Sequence, residues 1–192
     1  IATIIDYVDE TCQKSSPLLI ASFSLGGQNI SKYLCEYGEN ANKNIIGCLA
    51  ICNPFDTDQT VENLRKYPMT DRAMATNIKN IIFRNEKVFE KWINSTSDTV
   101  TSNESTSPKL TLGELKRVNS IKDLDKVLTM KIHDMSDVVQ DYYIPTSITH
   151  GMFPLMQRPI VYLHARDDPV VPDDAVPKAI DNDKVIFLTT NH

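Results

Sequence analysis

Pro17-Leu18-Leu19-Ile20-Ala21-Ser22-Phe23-Ser24-Leu25-Gly26-Gly27 is the stretch on which the rest of this chain is read. An apolar run of strand length leads into a turn of small residues. An amphipathic segment follows from Leu25 to Tyr37, with Ile30, Tyr33, Leu34 and Tyr37 on one face and Gly38 as its stop. A serine at such a strand–turn–helix junction is lifted clear of the sheet and can serve as a nucleophile. Ser24 has the spacing of G-x-S-x-G, with Ser22 in place of the first glycine. The flanking residues must be small because the backbone at such a serine is strained and crowded. The plain alternative is an ordinary turn.

The chain has 192 residues, 41% of them hydrophobic and 7% aromatic, enough for one domain with a real core. The net charge is −5, and no stripe of Lys and Arg interleaved with aromatics occurs, which argues against nucleic acid as a partner. No apolar run approaches the roughly 20 residues needed to span a bilayer. No signal peptide is visible, and the chain opens on Ile1, so the natural N-terminus is expected to lie upstream. Cys12, Cys35, Cys48 and Cys52 lack C-x-x-C metal spacing. They read as reduced thiols packed as small hydrophobes, which favours an intracellular, reducing compartment.

Working outward, residues 2–13 read as an amphipathic helix, 17–22 as a buried strand and Ile45 to Ile51 as a second one ending at Asn53-Pro54-Phe55-Asp56. From 57 to 155 the strand rhythm stops. A long helix is predicted from Ala73 to Trp92. Residues 95–107 carry nine Ser or Thr in thirteen positions and read as a flexible loop. Thr111-Leu112-Gly113-Glu114 is a capping-box pattern, and Ser136 is a candidate cap for a helix over Asp137 to Tyr143. Strands return at Pro159 to His164 and at Lys184 to Leu188, with a short helix predicted near 173–180. Four apolar strands joined by helical crossovers imply a parallel sheet in an α/β fold. Three segments result: a core over residues 1–56 that holds the Ser24 turn, a helical insertion over 57–155 placed where a lid would sit, and a return to the core over 156–192.

A serine nucleophile needs a base, an acid to orient the base, and donors for the developing oxyanion. Asp168, after the Pro159–His164 strand, is the candidate acid, and the adjacent Asp167 is the weaker choice. Read without the serine, Asp167-Asp168-Pro169 is equally a polar turn. The Leu25 N–H, directly after Ser24 and at a helix start, is the candidate oxyanion donor. For the base, His133 falls in the insertion and reads as structural, His150-Gly151 comes too late to be an oxyanion loop, and His164 reads as packed inside a strand. His192 follows the last strand.

Taken together, Ser22-Phe23-Ser24-Leu25-Gly26-Gly27-Gln28-Asn29 with Lys32-Tyr33-Leu34, then Cys52-Asn53-Pro54-Phe55-Asp56, Asp141-Tyr142-Tyr143 and Ala165-Arg166-Asp167-Asp168-Pro169, resemble the α/β-hydrolase superfamily. Within it they resemble the AB hydrolase 4 group of YheT-like and embryogenesis-associated hydrolases. The resemblance covers nearly the whole chain outside the Ser/Thr-rich stretch. It implies a parallel sheet of the α/β-hydrolase type, here its last four strands, with a mostly helical lid. It implies a serine esterase or lipase acting on acyl esters, glycerolipids or phospholipids among them, with Ser24 as nucleophile and Asp168 as acid. The family's His sits in a Gly-Gly-His motif soon after the last strand, so the base is expected a few residues past His192. The family also carries strands before the elbow, so this chain resembles a C-terminal fragment, expected to be inactive alone. The expected substrate is a small-molecule or lipid ester. No metal or organic cofactor is implied. Membrane association through an upstream segment stays open, and oligomeric state is not legible.

Two other readings keep the fold. One is a pseudo-hydrolase whose triad has decayed and which acts as an interaction module. The other is an acyltransferase, in which an alcohol replaces water at the same acyl-enzyme.

Overall fold

The structure is a computed structural model, and it describes residues 1–12, 16–89, 93–94, 110–178 and 180–191. In chain order the regular elements are α1 (Ala2–Thr11), β1 (Leu18–Phe23), α2 (Leu25–Tyr37), β2 (Ile45–Ile51), α3 (Thr57–Leu64), α4 (Pro68–Arg84), α5 (Glu86–Phe89), β3 (Ile93–Asn94) and β4 (Leu110–Thr111). They continue with α6 (Leu112–Arg117), α7 (Ile121–Leu124), α8 (Met130–His133), α9 (Ile144–Thr146), β5 (Ile160–Ala165) and β6 (Val185–Thr190). The chain divides into two compact units, Ile1–Thr60 with Thr146–His192, and Val61–Pro145.

In the first unit every apolar run singled out above becomes a strand. The four pair in the order β1-β2-β5-β6, all parallel. The fold class is therefore α/β with a parallel sheet. Alternation along the strands decides which face is buried. Ile160, Tyr162 and His164 of β5 point to one face and are buried, while Val161, Leu163 and Ala165 between them are not. That buried face receives Ile30, Tyr33 and Leu34 of α2, in one core with Cys48, Ala50, Ile160 and Tyr162. Phe55, Phe153, Tyr162 and Phe187 form an aromatic cluster with ring centroids between 4.8 and 6.2 Å apart. The Tyr162 hydroxyl donates to Ser31 Oγ at 2.8 Å, and Ser31 Oγ donates to the Gly27 carbonyl at 2.7 Å. That satisfied chain pins α2 to the middle of the sheet and fixes where its N-terminus points. Burial pushes the Tyr162 hydroxyl above its ordinary range, against the opposing effect of the Ser31 contact, so it stays a donor.

Among its described residues the second unit's regular structure is helical apart from the two-residue β3–β4 pairing. Ile82 of α4 packs with Leu110, Leu115, Val118 and Leu124. The expected capping box forms: Thr111 Oγ1 accepts the Glu114 N–H at 3.1 Å, and Glu114 Oε2 accepts the Thr111 N–H at 2.9 Å. Residues 121–133 run as one helical stretch with π geometry at Asp125–Thr129. There the half-buried Asp125 accepts hydrogen bonds from Tyr143 and Thr129, both at 2.9 Å.

Three local expectations are corrected. The helix predicted from Ala73 to Trp92 begins at Pro68, a residue whose fixed φ suits the first helical turn, and it breaks at Asn85. There the Ile81 carbonyl accepts both Asn85 Nδ2 at 2.8 Å and the Asn85 N–H at 3.1 Å, a side-chain bond of the kind that accompanies helix ends. Trp92, like the Ser/Thr-rich residues 95–107, lies outside the described residues. At the second site, Asp137 caps Val138–Tyr143, through Oδ1 to the Val139 and Gln140 N–H groups, and Ser136 does not. Ser136 instead donates from both N and Oγ to Asp141. The helix near 173–180 shrinks to a single 3₁₀ turn at Asp173–Ala175, because Pro177 holds Val176 in an extended conformation.

Candidate active site

β1 ends at Phe23 and α2 begins at Leu25, so the chain must change direction within one residue. That residue is Ser24, whose φ of 48° and ψ of −123° lie in a region side chains avoid. Backbone bonds on both sides hold it there. The Ser24 N–H donates to the Ile51 carbonyl of β2 at 2.8 Å. Its carbonyl accepts the Gly27 N–H at 2.8 Å and opens α2. The side chain makes no capping bond to the helix, and the residue is exposed. Leu25 supplies one of the N–H groups that helix geometry leaves without an intrahelical partner, beside the serine and at the positive end of the α2 dipole.

The small residues around the elbow have separate reasons. The Ser22 hydroxyl donates to the Leu49 carbonyl at 2.9 Å, so a serine fits where the motif has glycine. A Cβ on Gly26 would meet Ser22 Cβ at 3.8 Å, an ordinary contact. A Cβ on Gly27 would lie 2.9 Å from Asn53 Oδ1 and 3.3 Å from Ala50 Cβ. The crowded glycine is therefore Gly27, where α2 crosses β2, a requirement the motif spacing does not reveal.

The acid candidate lies two strands away, at the same end of the sheet. With strands spaced by about 4.8 Å, the tips of β1 and β5 are about 10 Å apart. An imidazole can bridge such a gap. After Ala165 the chain turns, with the Asp168 N–H on the Ala165 carbonyl at 3.1 Å. Asp168 Oδ1 accepts the Val170 and Val171 N–H groups at 2.8 and 3.2 Å. Asp168 is half-buried and oriented, whereas Asp167 is exposed. The Cys52 thiol follows the tip of β2, with the Asp168 carboxylate among the groups that shift it. Burial first, then the Asp168 carboxylate, pushes the thiol up to about 11.

The described histidines are His133, in α8 of the helical unit, His150, on an exposed 3₁₀ turn, and His164. His164 is buried on the α2 side of β5, as its place in the strand predicts, yet neither ring nitrogen has a hydrogen-bond partner among the described residues. Burial holds its pKa below the ordinary value, against the charges of Asp168 and Asp173. His192 lies outside the described residues. The geometry around the last strand still bears on the base. Thr190 pairs with Ala165, and the Arg166 N–H donates to the Thr190 carbonyl at 3.1 Å, so β6 ends beside the chain that turns into Asp168. Among the described residues no group of three or more His, Cys, Asp or Glu side chains could hold a metal ion, and no helix is long and apolar enough to cross a membrane.

No family model matches the sequence. It is 23% identical over 167 residues to abhydrolase domain-containing protein 2 of Drosophila melanogaster, covering 84% of this chain and 38% of that protein. It is 24% identical over 197 residues to monoacylglycerol lipase ABHD2 of Bos taurus, covering 98% and 44%. It is 25% identical over 153 residues to a monoacylglycerol lipase of Saccharomyces cerevisiae, covering 79% and 31%. Among solved structures, a Pyrococcus furiosus esterase aligns with a TM-score of 0.48 at 13% identity, over 98% of this chain and 49% of that one. The chain thus spans well under half the length of these curated relatives. The sequence matches support the α/β-hydrolase superfamily and reach no further, to no particular family within it.

Proposed function

We propose that this chain carries the nucleophile and the acid of a serine carboxylic-ester hydrolase of the AB hydrolase 4 type, acting on lipid acyl esters. The observation that carries the reading is Ser24: an exposed serine in a strained conformation, fixed by backbone bonds between β1, β2 and the start of α2. Strain of this kind persists where surroundings enforce it, and it clusters at sites of chemistry. The lipid substrate class rests on relatives whose names are monoacylglycerol lipases.

In this reading Ser24 Oγ attacks the ester carbonyl carbon while its proton passes to an imidazole supplied by residues following β6. The carbonyl oxygen takes the negative charge and meets the Leu25 N–H. Collapse of the tetrahedral intermediate breaks the ester C–O bond. The departing alkoxide takes the proton from the imidazolium, leaving an acyl-Ser24 that water hydrolyses by the same route. Asp168, held by Val170 and Val171, keeps the imidazole in the productive tautomer and stabilises its cation.

The test is turnover of a monoacylglycerol and of a p-nitrophenyl ester by the full-length protein containing this chain, against its Ser24→Ala variant. Loss of turnover in a folded variant supports the reading, and undiminished turnover removes Ser24 from it.

A further inference from the structure

Buried polar groups in folded proteins find a hydrogen-bond partner, and an exception calls for an explanation. Among the described residues five buried side-chain atoms lack one: Gln28 Oε1, Asn53 Oδ1 and Nδ2, and both ring nitrogens of His164. The three side chains are exposed by only 1%, 1% and 2%. All three belong to the first unit and stand behind the candidate site. Gln28 lies one helical turn after Ser24, Asn53 two residues beyond the end of β2, and His164 four residues before Asp168. The packing of α2 on the sheet brings them together. Tyr162 of β5 donates to Ser31 of α2 at 2.8 Å. α2 runs against the strands, because it returns the chain from the end of β1 to the start of the parallel β2. Back from Ser31 to Gln28 is about 5 Å along the helix. On from Tyr162 to His164, on the same buried face, is about 7 Å along β5. Gln28 and His164 therefore face each other across one layer. Asn53 Oδ1 lies 2.9 Å from where a Cβ would stand on Gly27, the residue before Gln28. The Cys52 N–H, on the Leu163 carbonyl at 2.9 Å, sets the next residue of each segment, Asn53 and His164, side by side. Gln28 is itself held, since its Nε2 donates to Thr57 Oγ1 at 2.6 Å.

We infer that Gln28, Asn53 and His164 line an internal water site behind the elbow, holding at least one ordered water that joins the first turn of α2 to the ends of β2 and β5. The chemistry of the set selects water. Asn53 Nδ2 and one imidazole N–H donate, while Gln28 Oε1, Asn53 Oδ1 and the other imidazole nitrogen accept. An anion would leave the acceptors without a hydrogen, and a cation would face the donors. Water does both, and a buried water takes about two to four polar partners. None of the three side chains is charged while His164 is neutral, the state that burial favours by holding its pKa down. The elements this water joins are those on which Ser24 and Asp168 stand. The site itself follows from burial and hydrogen bonding alone and does not depend on whether Ser24 reacts.

The experiment is a crystal structure of the full-length protein containing this chain, fine enough to show ordered solvent, with Asn53→Leu, His164→Phe and the double variant measured beside it. The structure should show a solvent oxygen within about 3.2 Å of polar atoms on at least two of the three side chains. Direct bonds among the three with no solvent oxygen between them, or a side chain from outside this chain in its place, would overturn the inference. In solution the variants are compared with the parent by urea unfolding. Each single substitution leaves the water's other partners short of a bond, whereas the double variant removes two of them together. The product of the two single-variant losses in folding equilibrium constant should therefore exceed the double variant's loss by about threefold or more. Losses that simply multiply would mean that the two side chains share nothing, and would overturn the inference. A direct Asn53–His164 bond would also couple the two, and the structure separates that case. If a variant fails to fold, the parent's structure decides alone. Turnover that survives Ser24→Ala would overturn the site reading while leaving the water site as it stands.

Discussion

Gly27→Ala, set beside Gly26→Ala, asks whether the elbow is crowded where its structure says or where the motif does. Both glycines lie in the first turn of α2, and neither has the positive φ that would strain an alanine. Replacing either recovers a similar helix-propensity gain, at most about 1 kcal/mol. That gain cancels when the two variants are compared, leaving the steric difference. At Gly26 the new methyl meets only Ser22 Cβ at 3.8 Å. At Gly27 it falls 2.9 Å from Asn53 Oδ1, 3.3 Å from Ala50 Cβ and 3.4 Å from Asn53 Cβ. The amide of Asn53 has no hydrogen-bond partner among the described residues, so moving it breaks no hydrogen bond to them. The two Cβ atoms are fixed to the backbone at β2 and cannot. Overpacking of this kind costs about 1–3 kcal/mol. Gly27→Ala should therefore be less stable than Gly26→Ala by about that amount. For a chain of this size the melting temperature should differ by about 2–12 °C. The assay is urea unfolding of both variants and the parent, with m-values compared so that a change in midpoint reads as a change in stability. Equal stability of the two variants, or the reverse order, would refute the argument that Gly27 is where helix and strand meet.

Other outcomes follow from the same geometry. Asp168→Asn should slow ester turnover by orders of magnitude, up to about 10⁴-fold, through loss of base orientation, and Asp167→Asn should leave it near the parent value; steady-state kinetics decide between them. His164 is buried with its pKa lowered, chiefly by burial. Both states are neutral well above the ordinary histidine pKa, and as pH falls through that value only the unfolded chain takes the proton, so stability is lost toward acid. Replacing His164 by Gln should flatten that decline between about pH 7 and pH 5, read by denaturant midpoints across the range. Thr111→Ala removes the cap on α6 and should cost about 1 kcal/mol, with Thr111→Ser recovering most of it, measured by urea unfolding.

Much of this fold is legible in the sequence because its strands are apolar runs bounded by turn residues. Ile45–Ile51 and Leu25–Tyr37 occupy the predicted ranges, since Asn53-Pro54 and Gly38 punctuate them. The capping box at Thr111 is equally local, one side chain and one backbone group three residues apart. The candidate site divides along the same line. The strand–turn–helix context of Ser24 and the turn at Asp168 are written within a few residues of each side chain. The demand for glycine at 27 comes from Asn53 and Ala50, which only tertiary contact brings close. The left-handed backbone of Cys52 has no residue signature, because a thiol at the end of an apolar run reads as a small hydrophobe. Ser136 and Asp137 are both good caps, and the choice between them is made by Asp141, which takes both donors of Ser136. At Asn85 a side-chain bond to Ile81 accompanies the end of a helix whose apolar periodicity continues beyond it.

The central claim is that Ser24 is an activated nucleophile. Intact-mass detection of fluorophosphonate labelling on the full-length protein, beside its Ser24→Ala variant, tests it most directly. The account predicts one adduct on the parent, mapped to the peptide bearing Ser24, and none on the variant. A folded parent that takes no adduct, or a variant that takes the same one, would contradict it.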